Sequence, residues 1–318
     1  MIKVLGIGNA VLDVVAKVTD EYLIQHSLKK GTMCLVEEQA SKEIYSQITP
    51  VKQSSGGSVA NTIVGISILG ENAGFCGKVK NDELGKNFIK SIKETGASFL
   101  CEKAISGLAT ARCIVLVTPD GERTMQTFLG ASTTLSPEDL NDNFFDNLKY
   151  ILFEGYLWSS ITAREALYKA VTIAKRKKIE IIFSLSDPGL VGMFKDDFYN
   201  FIKNDVDVLI GNQMEYETLL ETNDVEESLN KISNFTDIAV ITLGEKGAVA
   251  IKKNKILYAQ SEKNLNVLDT TGAGDMFASG LIFELCKSGD IEKAIKLGCR
   301  VAGKIISQYG ARPEGKII

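Results

Sequence analysis

The sequence predicts an α/β fold, a central, mostly parallel sheet flanked by helices with a small β-sheet set beside it. Three observations carry that expectation. Short apolar runs alternate with segments of helical periodicity, the pattern of parallel strands joined by crossover helices. Two stretches, approximately residues 10–36 and 108–129, break the rhythm with strand-like alternation. Composition agrees, since 45% of the 318 residues are apolar and 24% charged, which excludes disordered, collagen-like and coiled-coil chains. Roughly 150 residues per domain would suggest two domains, but α/β folds often run past about 250 residues as one unit. With only five prolines, and no repeat or low-complexity tether, residues 1–318 read as a single domain carrying two inserts.

The elements follow in order. Residues 4–8 read as a buried first strand and not as a signal peptide, having one lysine nearby and no small-residue cleavage site. The first insert alternates from Val11 to Ala16 and again around Cys34. A helix is expected over 59–69, a strand over 73–77 and a helix over 84–95. In the second insert, residues 110–118 and 123–128 flank Pro119-Asp120-Gly121, a hairpin signal. Strands are then expected over 150–153, 180–184, 206–210, 238–242 and 248–251, with helices over 163–175 and 213–220 between them. Two helices, 274–287 and 291–307, close the chain. In the first of them Phe277, Leu281, Ile282 and Leu285 recur at helical spacing.

Charge and rare residues narrow the function. Thirty-six basic against 40 acidic residues give a net charge of −4. A nucleic-acid partner calls for a basic excess, so a small-molecule partner is expected. No apolar run approaches the roughly 18 residues of a membrane span. Six cysteines without a C-x-x-C pair read as thiols of a reducing, cytoplasmic compartment. His26 is the only histidine, which rules out a His-rich metal site.

Glycine motifs carry the chemistry. Gly6-Ile7-Gly8 opens like a dinucleotide fingerprint but lacks its third glycine, and Gly298 to Ile305 misses the hydroxyl that a P-loop needs at its end. Gly56-Gly57-Ser58-Val59-Ala60-Asn61 sets two glycines before an apolar helix. Backbone there can approach a ligand, with Asn61 facing back, or it is a plain loop-to-helix junction. Asp269-Thr270-Thr271-Gly272-Ala273-Gly274-Asp275 feeds a helix N-terminus, where free N–H groups and the dipole favour a phosphate. Asp275 either complements that dipole or serves as a general base for a hydroxyl. Asn212 and Glu215 form a capping box, or Glu215 orders a hydrated magnesium. Thr242, Gly244 and Gly247 shape a turn that could track a nucleotide.

Together, and in this order, these motifs resemble the PfkB family of carbohydrate and nucleoside kinases, of the ribokinase-like fold. The D-T-x-G-A-G-D signature stands at Asp269 to Asp275, G-G-x-x-x-N at Gly56 to Asn61, N-x-x-E at Asn212 to Glu215 and T-x-G-x-x-G at Thr242 to Gly247. Gly8 to Asp13, Gly56-Gly57-Ser58, Val206 to Asn212 and Ser184 to Pro188 look like the adenosine kinase branch. The hairpin Val117 to Thr124 looks more like the sugar kinases. The resemblance implies transfer of the ATP γ-phosphoryl group to a primary hydroxyl, the 5′-OH of adenosine giving AMP. The alternative is a sugar kinase of ribokinase, fructokinase or 2-keto-3-deoxygluconate kinase type. A silent regulator is opposed by the intact Asp275.

Under the resemblance, Asp275 is the base, and the N–H groups of Gly272, Ala273 and Gly274 form an anion hole. Asn9, Asp13, Gly56, Gly57 and Asn61 hold the acceptor. Tyr156 stacks on the base of a nucleoside, or is an ordinary half-buried tyrosine. Asn212, Thr242, Gly244, Gly247 and Thr271 line the ATP site, and Glu215 orders Mg2+ through water. Asp269 and Thr271 are the candidate ligands for K+. The two inserts form a lid, and the molecule is a monomer or a homodimer.

Overall fold

The computed structural model describes residues 1–313, 315 and 317. Its first strands are β1 (Val4–Ile7), β2 (Val11–Lys17), β3 (Met33–Leu35), β4 (Pro50–Gly56), β5 (Ala73–Cys76), β6 (Ser98–Phe99), β7 (Ala111–Val117) and β8 (Arg123–Phe128). There follow β9 (Tyr150–Glu154), β10 (Glu180–Ser184), β11 (Val208–Asn212), β12 (Ile238–Thr242), β13 (Ala248–Lys252) and β14 (Lys255–Ala259). Nine strands form one sheet in the order β14-β13-β12-β11-β10-β9-β1-β5-β6. It is parallel from β6 to β12, and β13 and β14 add an antiparallel edge.

The inner strands are apolar throughout because helices cover both faces. Alternate side chains feed two cores. Leu5, Ile7, Ile151, Phe153, Ile181 and Phe183 pack under the helices Ile161–Lys177 and Lys195–Asp205, around Trp158. Val4, Tyr150, Leu152 and Ile182 face the helices Ser58–Ile68, Ala273–Lys287 and Ile291–Ile305.

Five strands form the second sheet, in the order β3-β8-β7-β2-β4. Gly121, at φ +85°, makes the β7–β8 turn. Ala16, Leu23, Ile44, Ile114 and Leu116 give this sheet a small core of its own.

Three departures from the sequence reading have local causes. The strand expected over 206–210 starts later, because Val206 N–H donates to Ile202 O (3.4 Å) and ends the preceding helix. β4, the polar run Pro50–Gly56, belongs to the second sheet, so the first insert runs on to Gly56. The helix Lys195–Asp205 and the strands β6 and β14 were not expected. Each is short or sparse in apolar residues. All six cysteines are free thiols, and no described helix is long and apolar enough to cross a membrane.

Candidate active site

Two helix N-termini meet at the C-terminal end of the main sheet. Helices Ser58–Ile68 and Ala273–Lys287 touch because Gly65 has no side chain, and a Cβ there would lie 2.3 Å from Ser279 Oγ. That hydroxyl donates to Thr62 O (3.0 Å) and Asp275 O (2.8 Å), locking the helices in register. Each helix is capped by a glycine at positive φ, Gly57 at +93° and Gly272 at +78°. A Cβ on Gly57 would meet Asn9 O at 2.2 Å, and one on Gly272 would meet Ala311 Cα at 2.6 Å. Both turns therefore require glycine.

Asp275 sits where these ends converge. Ser58 Oγ donates to Oδ1 (2.7 Å) and Asn61 Nδ2 to Oδ2 (2.9 Å). Arg312 Nε donates to Asn61 Oδ1 (2.9 Å). Burial pushes the Asp275 carboxyl up, opposed by those two hydrogen bonds and by the Arg312 charge. Asn61 thus spends its oxygen and one amide hydrogen inside the protein. Of the three N–H groups expected to form an anion hole, that of Ala273 donates to Thr270 O (3.1 Å). The N–H groups of Gly272, Gly274 and Asp275 have no protein partner among the described residues.

Two further carboxylates, Asp13 and Glu154, lie near enough to Asp275 to feel its charge. Asp13, on β2, approaches Gly56 so closely that a Cβ there would be 2.4 Å from Oδ2. Glu154 closes β9 and is fully buried. Its Oε1 accepts from Asn9 N–H (2.7 Å) and its Oε2 from Val59 N–H (2.8 Å), so it caps a helix from another element. Burial pushes Asp13 up to about 7, with the Arg312 charge opposing it and that of Asp275 adding to it. Glu154 also reaches about 7, burial outweighing its two N–H donors. Tyr156 follows β9, half-buried, and its hydroxyl donates to Ser186 O (3.4 Å). Burial first, then the charges of Asp187, Glu154, Asp275 and Glu215, raises its phenol.

Next to the same turn opens a cavity of about 690 Å³, lined by Thr242, Gly244, Gly247, Ala273, Gly274 and Phe277 among others. Asn212, Glu215 and Thr271 do not line it. Glu215 instead completes the capping box, its oxygens accepting from Asn212 N–H and Nδ2 (both 2.8 Å). Burial, then the nearby Asp187, pushes it up to about 7.

The residues assigned to potassium do not fit a cation in this arrangement. Asp269 Oδ1 accepts from Thr271 N–H (2.9 Å) and Oγ1 (2.6 Å), and Oδ2 from Gly310 N–H (2.7 Å). Arg123, from β8, completes the set through Nη2 to Asp269 Oδ2 (2.8 Å) and Nη1 to Thr271 Oγ1 (2.5 Å). Although burial pushes Asp269 up, these donors hold it well below the usual carboxylate range. A guanidinium already stands there. His26 lies in the first insert, bonded to Tyr22 O and Gln47.

Sequence reasoning missed Ser58, Arg123, Glu154 and Arg312. Glu154 had a signal, an acid ending an otherwise apolar strand. Ser58 stood inside a quoted motif. Arg123 stood inside the quoted hairpin, but nothing local ties it or Arg312 to the turn, since each acts across more than a hundred residues of chain.

Comparison with known proteins now adds to the geometry. The sequence profile of the pfkB family of carbohydrate kinases matches residues 31–316. The chain belongs to the PfkB family. Among solved structures, adenosine kinase from Sinorhizobium meliloti superposes with a TM-score of 0.91 at 35% identity, covering 99% of this chain and 97% of that one. A probable sugar kinase from Rhizobium etli CFN 42 gives 0.90 at 36% identity, covering 99% and 96%. The 5-dehydro-2-deoxygluconokinase of Bacillus subtilis strain 168 is 28% identical over 265 residues, 80% of this chain and 82% of that one. As a PfkB kinase, this protein is a phosphotransferase with an alcohol group as acceptor, using ATP as co-substrate, and its sheet is that of the ribokinase-like fold.

Proposed function

We propose that this PfkB kinase phosphorylates the 5′-hydroxyl of a neutral nucleoside, adenosine, giving AMP. One observation carries the choice of an uncharged acceptor over an acidic sugar. Asp13 and Glu154 feel the charge of Asp275, and among the described residues only Arg312 faces Asp13 and Asp275 as a cation. An acidic sugar would add a further negative charge to this cluster, whose carboxyls already resist ionising, and an uncharged acceptor adds none. Tyr156, within reach of the Glu154 and Asp275 charges, supplies an aromatic face for a base.

Asp275 takes the hydroxyl proton, with Ser58 and Asn61 fixing its two oxygens. The free N–H groups of Gly272 and Gly274 face the phosphoryl group, whose loose transition state is stabilised by positioning and charge. Thr242, Gly244 and Gly247 hold ATP in the neighbouring cavity. Each Glu215 oxygen keeps a lone pair beyond its bond to Asn212, and with these the carboxylate would order the water shell of Mg2+. That ion, when bound, neutralises phosphate charge. The second sheet acts as the lid, since Arg123 reaches from β8 to the catalytic turn.

A sugar kinase is the second reading, favoured by the Bacillus relative and by the hairpin around Gly121. A panel of adenosine, inosine, ribose, fructose, 2-keto-3-deoxygluconate and 5-dehydro-2-deoxygluconate with Mg-ATP decides between them. Adenosine is expected to lead in kcat/KM by at least about 10²-fold. A free sugar or a sugar acid leading the panel overturns the choice of acceptor.

A further inference from the structure

Arg312 lies on the C-terminal segment after the helix Ile291–Ile305. This segment passes beside the catalytic turn, where Gly310 N–H holds Asp269 (2.7 Å) and Ala311 packs against Gly272. The Arg312 side chain then runs inward. Its Nε donates to Asn61 Oδ1 (2.9 Å) and its Nη1 to Ser91 Oγ (3.0 Å), and the guanidinium is 6.0 Å from the centre of the Phe88 ring. Nη2 is buried with no hydrogen-bond partner among the described residues, so no carboxylate pairs with it directly.

A guanidinium has only donors. Asn61 must therefore turn its oxygen to Arg312, which leaves its amide nitrogen for Asp275. With the amide reversed, donor would face donor and oxygen would face carboxylate. The titratable and charged groups facing Asp275 are Asp13 from β2, Glu154 from β9, Tyr156 from the turn after it, and Arg312. Arg312 alone among them is a cation.

We propose that Arg312 is a positioning residue for phosphoryl transfer: it fixes the Asn61 amide that holds Asp275, and it supplies the positive charge that favours the ionised base. The inference rests on Asp275 being that base. It adds a part of the active site drawn from the last few residues of the chain. Burial lowers the guanidinium to about 10, while the charges of Asp13 and Asp275 raise it, so it stays cationic at neutral pH.

The two roles separate in two variants. Arg312→Gln removes the charge, and Arg312→Lys keeps the charge but loses the fixed fork that orients Asn61. Both are assayed for kcat and KM against pH with the best acceptor of the panel, beside melting temperatures and an Asp275→Asn control. For the Gln variant, the acid limb of kcat/KM is expected to move up by about one pH unit or more, with ATP KM within about twofold of wild type. The Lys variant is expected to keep the limb in place while kcat falls at least about tenfold. A folded Gln variant with an unmoved limb, or a Lys variant with wild-type kcat, overturns the role of Arg312. If instead Asp275→Asn keeps its turnover, the general-base reading fails, and this distinguishes the two failures.

Discussion

Asp13, Glu154 and Glu215 are each pushed to about 7, above their ordinary 3.8 or 4.5, mainly by burial. For an acid raised in this way, the folded state holds its proton more tightly than the unfolded chain. The stability this contributes is complete below about pH 4 and is lost progressively as the pH rises to about 7. The melting temperature is therefore expected to fall between about pH 4.5 and pH 7 and to level off above it, and Glu154→Gln should make the slope shallower. A melting temperature that rises over that interval would contradict the burial of these three groups. Tyr156 tests the acceptor at the same scale. Stacking contributes about 1 to 3 kcal/mol, so Tyr156→Ala should raise the adenosine KM roughly 5- to 150-fold with little change for ATP. An adenosine KM unchanged in a folded variant would remove Tyr156 from the site. A parallel melt is needed, because truncating a packed aromatic can cost about 3 to 5 kcal/mol.

At the scale of elements, the site is two glycine-capped helix ends and a strand that caps one of them. Gly57→Ala should be severe, since φ is +93° and the new methyl would meet Asn9 O at 2.2 Å. A rise of at least about tenfold in acceptor KM, or loss of folding, is expected, against a small change in ATP KM. A folded variant with a wild-type acceptor KM would show that Gly57 does not shape the acceptor site. These glycine turns were legible in the sequence because they need a residue type that almost nothing else can replace. The partners of those turns were not legible. Glu154 and Arg312 reach them from other parts of the chain, and no local pattern fixes where a strand end or a C-terminal segment will lie. Closure belongs to the same scale. Bound acceptor is expected to slow hydrogen exchange in β2, β3, β7 and β8 more than in β9 and β10. Equal change in both sheets would contradict a lid.

Across the whole molecule, the parallel sheet brings the ends of β1, β9 and β12 to one side, where ligands bind in open α/β sheets. The alternation of apolar runs and helices made that architecture readable. Strand order and the fifth strand of the second sheet were not, since Pro50–Gly56 carries no apolar stripe. Asp13 and Glu154 feel the charge of Asp275, and the cavity lined by Ala273 and Gly274 opens at the same turn, so under the proposed function the base would stand between acceptor and ATP. Asp275 as general base is the centre of this account, and Asp275→Asn tests it most directly because size and hydrogen bonding change little. Single-turnover phosphoryl transfer, with ATP affinity measured in parallel, should show a loss of at least about 10²-fold with ATP binding kept within about twofold. Turnover within about threefold of wild type would contradict it.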